Sequence, residues 1–599
     1  MDPSGNTEVV SASDVLARLK FALESGSHDE VSSLVERVVA AGAADFEALE
    51  MCGQVLRKQN RLKEAEQVYR RLLENTSLPA ERAAVLHSEL GVVLASQGEM
   101  GAARASFEKA IELKTDLVSA LLSLGVICQV TGEWENALEW YGKVLALGPS
   151  PEACSGIGHI LTKIGRFEDA LPYFERALEL QPDSPNIYVG LGIALQRLGR
   201  YRDAQDCAEA ALALNPKFAS ARHIISDCLL AAGRFKDAIA QLDLGLNEAP
   251  GAPSLLFAKG LQQLSLGDLE QGFANYEQRW QMPVDPGSVR PPNYRQPRLT
   301  SLEQADGKIV LLHEEQGYGD TLQFIRYAPL LAQRARRVIV AVRPELCSLV
   351  QDVEGVAEVL VVEAGKAPQG GGDSRASPPV GKRSSLDPSV EFDTYTATMS
   401  LPLLFGTRLD TVPSHVPYLR ANQEKIGAWR DRLGPGRGKW VGLVWTGNPR
   451  HPNDRNRSLT LEALVPLIKQ SGCSFVSLQK TIRPEEATLL ARLGVSEFGA
   501  NLGDFSDTAA LCSCLDLVIS VDTSIAHLAG GLGREVWLAL PWVAEWRWLA
   551  EGERTPWYPQ ARLFRQAQAG DWAGVVRSML GELCKSEPRQ GGWWFRRKK

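Results

Sequence analysis

The ten cysteines of this 599-residue chain include no C-x-x-C pair and no paired spacing. The closest two, Cys512 and Cys514, are two apart and so project from different faces of any helix. Neither a zinc site nor a disulfide scaffold follows. Basic excess is also missing: Lys+Arg number 65 against 72 Asp+Glu, a net charge of −7 with a pI near 5.8. That balance lacks the cationic footprint of a protein that tracks nucleic acid, so nucleic acid is excluded as an expected partner. No apolar run approaches the ~20 residues needed to span a bilayer. The opening residues have neither the basic start nor the apolar core of a signal peptide. These absences predict a soluble protein of the reducing cytoplasm. Aromatic content is only 7%, yet 44% hydrophobic and 23% charged residues lie in the globular range, which excludes a disordered or fibrous chain. At roughly 100–200 residues per domain, the length implies several units or a repeat array joined to domains.

What is present begins with a recurring phrase. Gly98, Gly132, Gly165, Gly199, Gly233 and Gly267 are spaced by 34, 33, 34, 34 and 34 residues. Five positions after each glycine stands a small residue: Ala103, Ala137, Ala170, Ala204, Ala238 and finally Gly272. Pro149, Pro182, Pro216 and Pro250 close successive units, and Gly91, Gly125, Gly158, Gly192 and Gly260 mark mid-helix positions. Each phrase glycine allows the positive φ of a helix C-cap, the small residue lets two helices approach, and the proline stops the second helix. Asn60 replaces the glycine in an earlier, degenerate copy, and helical periodicity runs back to about residue 12. Period and punctuation together resemble the tetratricopeptide repeat, a helix–turn–helix unit that stacks into a superhelix with a concave face for peptides or proteins. The array by itself carries no chemistry, and a spacer or dimerisation element is the alternative role.

From Lys308 the pattern alternates between strand and helix. Ile309–His313 reads as a strand, 314–320 as a loop, Thr321–Arg334 as a helix, Val338–Val342 as a strand, Pro344–Val353 as a helix and Val356–Val362 as a strand. A second series follows the glycine-rich stretch 434–438. It comprises strands at Trp440–Trp445, Ser474–Gln479, Leu517–Asp522 and Val536–Leu540, and helices at Leu461–Gln470, Ser506–Leu515 and Thr523–Gly533. Such alternation predicts parallel sheets with helices on both faces. Residues 365–390, rich in Gly, Pro and Ser, predict a disordered surface insertion.

Three loops at strand carboxyl ends hold polar residues that a packed sheet does not need, and open α/β sheets bind ligands there. In the first, Gly317 and Gly319 allow a close backbone approach to a ligand, and Asp320 precedes a helix. The second, Thr446–Arg457, contains three arginines and no strand or helix pattern. Arginine forks suit a diphosphate, although a solvated charged loop has the same composition. The third places Asp522 at a strand end and Thr523 and Ser524 at a helix start, an anion cradle with His527 one turn on. Plain N-caps and a satisfied helix histidine would look the same.

Taken in order, the segments H-E-E-Q-G-Y-G-D-T-L-Q-F-I-R-Y (313–327), V-G-L-V-W-T-G-N-P-R-H-P-N-D-R-N-R-S-L (441–459), F-V-S-L-Q-K (475–480), V-D-T-S-I-A-H-L-A-G-G-L-G (521–533), W-R-W-L (546–549) and W-Y-P (557–559) resemble bacterial proteins that join tetratricopeptide repeats to a GT-B glycosyltransferase related to the ADP-heptose:lipopolysaccharide heptosyltransferases. More distantly, the pairing is similar to the protein O-GlcNAc transferases. The fold implied is an α-solenoid followed by an α/β GT-B fold of two Rossmann-like domains. The domain plan is a disordered N-terminus (1–11), the superhelix (12–285), an N-terminal Rossmann-like domain (292–433), a C-terminal nucleotide-sugar-binding domain (438–585) and a basic, aromatic tail (586–599).

The resemblance implies that Asp320 is the catalytic carboxylate, that Arg457 holds phosphate, and that Asp522, Thr523, Ser524 and His527 bind the nucleotide sugar. Gly317, Gly319, Thr446, Asn448 and Lys480 complete the expected donor site. Arg457 stands where heptosyltransferases commonly have lysine. The implied reaction is inverting transfer from a nucleoside-diphosphate sugar to a protein or glycan acceptor recruited by the repeats. No D-x-D metal motif occurs, so metal independence is expected, with no cofactor beyond the donor substrate. The alternative is a catalytically inactive repeat scaffold for protein–protein interaction, with a nucleotide-binding GT-B module. For the tail, whose last eleven residues hold five basic groups and three aromatics, two readings stand: a weak peripheral membrane contact, or an unstructured end that only aids solubility.

Overall fold

The structure, a computed structural model, describes residues 34–35, 46–75, 77–282, 294–362, 390–449 and 453–585. The expectations for the N-terminus, the tail and all but the last residue of the 365–390 insertion lie outside the described residues. The chain divides into two units, Met1–Pro216 and Lys217–Lys599.

The first unit is a run of paired helices. Its pairs are Phe46–Lys58 with Leu62–Leu73, Ala80–Ser96 with Met100–Leu113, Val118–Thr131 with Trp134–Leu147, Pro151–Lys163 with Phe167–Leu180, and Pro185–Arg197 with Tyr201–Leu214. The recurring glycine does what its position demands: in this unit Gly98, Gly132, Gly165 and Gly199 take φ between 78° and 85°. Asn60, the substitute in the degenerate copy, takes φ 60°. Asparagine is one of the few other residues that tolerates this region.

The mid-helix glycines answer to a different constraint, which is packing. A Cβ on Gly91 would lie 2.7 Å from Phe107, and one on Gly125 would lie 2.6 Å from Tyr141. In each case the aromatic ring of the second helix occupies the space a side chain would need. Ala103, Ala137, Ala170 and Ala204 are fully buried, as close helix approach requires.

The second unit opens with two further pairs, Ala219–Ala231 with Phe235–Glu248 and Pro253–Ser265 with Leu269–Tyr276, the last followed by a 3-10 turn at Glu277–Trp280. Two all-parallel sheets follow. The first has four strands in the order β3-β2-β1-β4: β1 Ile309–His313, β2 Arg337–Val342, β3 Glu358–Val361 and β4 Thr394–Ala397. The second has six in the order β10-β9-β8-β5-β6-β7: β5 Trp440–Val444, β6 Ser474–Ser477, β7 Ser496–Glu497, β8 Leu517–Val521, β9 Val536–Leu540 and β10 Ala561–Arg565. Both orders reverse beside the strand that comes first in sequence, between β1 and β4 and between β5 and β8.

Strand alternation sorts the core. In the second sheet, Val441, Leu443, Ile519 and Val521 join the layer under helices Leu461–Gln470 and Trp572–Lys585, while Val444, Val518, Leu538 and Leu540 face the main core. The first sheet departs from the expected helix cover on both faces. Leu311, Ile339 and Ala341 pack against the aromatic side chains Tyr294, Phe392 and Tyr395, carried among the described residues by extended segments and β4.

A second departure concerns the repeat array. Leu264, Leu269, Phe273 and Tyr276 belong to the same core as Phe324, Trp546 and Trp557. Phe273 meets Trp546 edge-on at 5.6 Å. The last repeat is therefore built into the α/β unit, whereas the sequence plan ended the array as a separate domain at 285. Among the described residues no helix is long and apolar enough to cross a membrane.

Candidate functional site

The carboxyl ends of β1, β5, β6, β8 and β9 open onto one cleft of about 720 Å³. All eleven residues named from the sequence line it: Gly317, Gly319, Asp320, Thr446, Asn448, Arg457, Lys480, Asp522, Thr523, Ser524 and His527. They come from four separate segments that no local pattern brings together.

After β1 the helix begins earlier than expected, at Tyr318 rather than Thr321, and ends at Phe324. Asp320 thus sits in the first turn, where its Oδ2 accepts a hydrogen bond from the Gly317 N–H at 2.7 Å. An acid at this position satisfies an otherwise unpaired amide and meets the positive end of the helix. Gly319 lines the cleft, and packing leaves no room for a side chain there, since a Cβ would lie 2.8 Å from the His527 ring. Gln316 takes φ 60°, a left-handed conformation that costs a non-glycine residue about 1–2 kcal/mol.

The loop at 446–457, which shows no strand or helix pattern in the sequence, contains a short helical turn among its described residues, Asp454–Arg457. Arg457 Nε donates to Asp454 Oδ1 at 3.3 Å, and its Nη1 donates to the Asp522 carbonyl at 3.1 Å. Gly447 makes room for this arrangement, because a Cβ there would stand 2.6 Å from both Arg457 and Asp454. The guanidinium is thus fixed against the third loop, not waving in solvent. Gln479 Nε2 donates to Thr446 Oγ1 at 2.9 Å, and Lys480 Nζ donates to the Gly503 carbonyl at 3.1 Å.

Thr523 precedes the helix Ser524–Gly531 but makes no side-chain cap bond; its hydroxyl instead lies 3.1 Å from Ser520 Oγ. The side-chain cap reading of this threonine fails, and Thr523, Ser524 and Ile525 line the cleft. His527 is buried, stacks on Trp548 at 5.1 Å and meets the Tyr558 hydroxyl through Nδ1 at 3.0 Å. Burial, with Arg547 and Arg326 nearby, holds its imidazole well below the usual range, and so neutral.

Among the cleft residues that the sequence did not single out are Arg547 and Glu545. Arg547 Nη2 donates to Asp320 Oδ1 and Nη1 donates to Glu545 Oε1, while the Glu545 carboxylate also accepts from the Arg547 backbone N–H at 3.0 Å. One guanidinium is therefore shared by two carboxylates, one from each sheet. Desolvation raises the Glu545 carboxyl to about 7; Arg547 opposes that rise and Asp522 adds to it. The available signal was the W-R-W segment just past β9, which bore the resemblance without an assigned role.

Models of the tetratricopeptide repeat match residues 152–217 and, separately, 22–79, 88–151 and 189–253. The N-terminal helices are tetratricopeptide repeats. Over 479 residues the chain is 26% identical to Protein FlbA of Caulobacter vibrioides, spanning 74% of this chain and 69% of that protein. That span is longer than the repeat array. The human Cell division cycle protein 16 homolog is 33% identical over 134 residues, 21% of either chain. Among solved structures, a tetratricopeptide repeat protein from Parabacteroides merdae superposes with a TM-score of 0.36 at 19% identity, covering 40% of this chain and 94% of its own. YrrB, described as a TPR protein with an unusual peptide-binding site, gives 0.26 at 24% identity, with 30% and 92% coverage.

Proposed function

We propose that the cleft binds a nucleoside-diphosphate sugar and transfers the sugar, with inversion, to a protein or glycan acceptor recruited by the tetratricopeptide repeats. The two parallel-sheet lobes would then be the halves of a GT-B glycosyltransferase similar to the heptosyltransferases. The observation that carries this reading is convergence: eleven residues chosen from four separate segments line one cleft at the strand carboxyl ends. In open parallel sheets this is where nucleotides bind, at the point of strand-order reversal.

The diphosphate would lie against Arg457, Lys480 and the first turn of the helix at Ser524, whose amides and dipole favour negative charge. Leu478, Leu502, Phe505 and Ile525 supply an apolar wall for the base. Asp320 would take the proton of the acceptor hydroxyl as that oxygen attacks the anomeric carbon and the bond to the diphosphate breaks. A carboxylate has room for this beyond its two bonds to Arg547 and Gly317, since its oxygens offer about four acceptor sites.

A second reading has its own support. Both Asp320 oxygens are already engaged, as in a purely structural ion pair, which suits a repeat scaffold that binds nucleotide without turnover. The experiment that separates the two measures nucleoside diphosphate released from ADP-, UDP- and GDP-sugars in EDTA, together with thermal shift by the free nucleotides. Release in EDTA supports the transferase. Strict dependence on Mg²⁺ or Mn²⁺ removes the cation-and-helix account of the leaving group, and binding without release favours the scaffold.

A further inference from the structure

The last repeat reaches the loop that carries Asp320. The Tyr276 ring is buried between Phe257 at 5.2 Å and Trp546 at 6.3 Å. Its hydroxyl accepts a hydrogen bond from Gln316 Nε2 at 2.7 Å and directs its own proton toward Met399 Sδ at 3.7 Å. In the 3-10 turn that follows, Arg279 makes a paired contact with Glu315, Nε to Oε1 at 2.5 Å and Nη2 to Oε2 at 2.9 Å, and Nη2 also donates to Ser400 Oγ at 2.9 Å. Both side chains are almost fully buried, at 7% and 5% exposure. Tyr276 of the last repeat and Arg279 of the turn that continues it therefore grip two consecutive loop residues.

The second of those loop residues is Gln316, the one held in left-handed backbone. A non-glycine residue stays in that region only where its surroundings over-determine it. Here the restraint comes from Tyr276 on one side and, on the other, from Arg343 Nη2, which donates to the Gln316 carbonyl at 3.1 Å. The next residue, Gly317, supplies the N–H that fixes Asp320. Rotation of Gln316 toward a favoured φ would turn that amide away.

We propose that the last repeat is a positioning element of the cleft: Tyr276 and Arg279 hold Glu315 and Gln316 so that Gln316 keeps its left-handed backbone and Asp320 keeps its place. The repeat that ends the array is thus part of the site's machinery and not only a recognition surface. The kinetic part of this inference rests on the transferase reading; the geometric part does not.

The test uses the full chain and three variants: Tyr276→Phe, Gln316→Ala and their double. Tyr276→Phe keeps the buried ring and removes only the hydroxyl. Amide hydrogen exchange in the segment 314–321 should rise about ten-fold in each single variant, the effect of losing one ordering hydrogen bond. The double should be no faster than either single, because both act through one contact. Turnover of the nucleotide sugar should fall about ten-fold in kcat with KM unchanged. Wild-type exchange in Tyr276→Phe, additive effects in the double, or a rise spread evenly over the whole second unit would each overturn the proposal. If the wild-type chain turns over no nucleotide sugar, the transferase reading fails while the exchange comparison still decides the positioning role.

Discussion

Glu545→Gln should change the pH dependence of stability in a direction the cleft dictates. The folded-state carboxyl lies near 7 against an ordinary value of 4.5, chiefly through desolvation. Between those values the folded chain holds a proton that the unfolded chain has released. Stability contributed by this group is therefore present at pH 4.5 and lost as pH rises toward 7, flat thereafter. At 1.36 kcal/mol per unit the loss is about 3 kcal/mol as an upper bound. About half of that remains once the solvent reaching a side chain that is 31% exposed is allowed for. His527 works in the opposite sense: held neutral in the fold, it removes stability as pH falls below its unfolded value near 6.5. The Gln variant keeps His527 and every other titrating group, so the difference between wild type and variant isolates Glu545. Calorimetric melting of the second unit at pH steps from 5 to 8 should show the wild type losing about 2–4 °C relative to Glu545→Gln as pH rises. Parallel curves would refute the argument and mean that the carboxyl stays ionised beside Arg547 throughout.

Asp320→Asn should preserve the fold and nucleotide affinity while transfer falls by about 10²–10⁴-fold, the usual contribution of a general base; wild-type turnover would reduce Asp320 to a helix cap. Deleting residues 1–216 should leave a folded second unit that still hydrolyses donor but transfers poorly to a macromolecular acceptor. A cut at 285 should fail to give soluble folded protein, because Phe273 and Tyr276 leave the shared core; expression and circular dichroism of the two truncations compare them. Gly125→Ala should destabilise the first unit by about 1–3 kcal/mol through overpacking against Tyr141, measured as a shift in the urea midpoint.

Local physics accounts for what the sequence by itself determined. A glycine at the turn inside each helix pair needs only its own positive φ, and a small residue five positions on needs only its small volume, so the repeats could be counted from spacing alone. Strands β1, β5, β8 and β9 are short, apolar and bounded by polar residues, which makes them visible without partners. The cleft-facing segments could be named because they break that pattern at strand ends.

Other features were set by contacts distant in sequence. The strand Thr394–Ala397 has only four residues and is held in place by pairing with β1. Gly319 carries a packing constraint that becomes visible only when His527, more than two hundred residues away, is seen to fill the space beside it. The sequence reads Arg457 as a phosphate-holding cation but does not show what holds it: Asp454 and the Asp522 carbonyl. Arg547 and Glu545 carry no periodic signal, and their meaning arises when the second sheet brings them against Asp320 from the first. The tertiary structure decided these points because ion pairs, close approaches and desolvation depend on distance in space, and spacing along a chain reports that distance only within a helix, a strand or a turn.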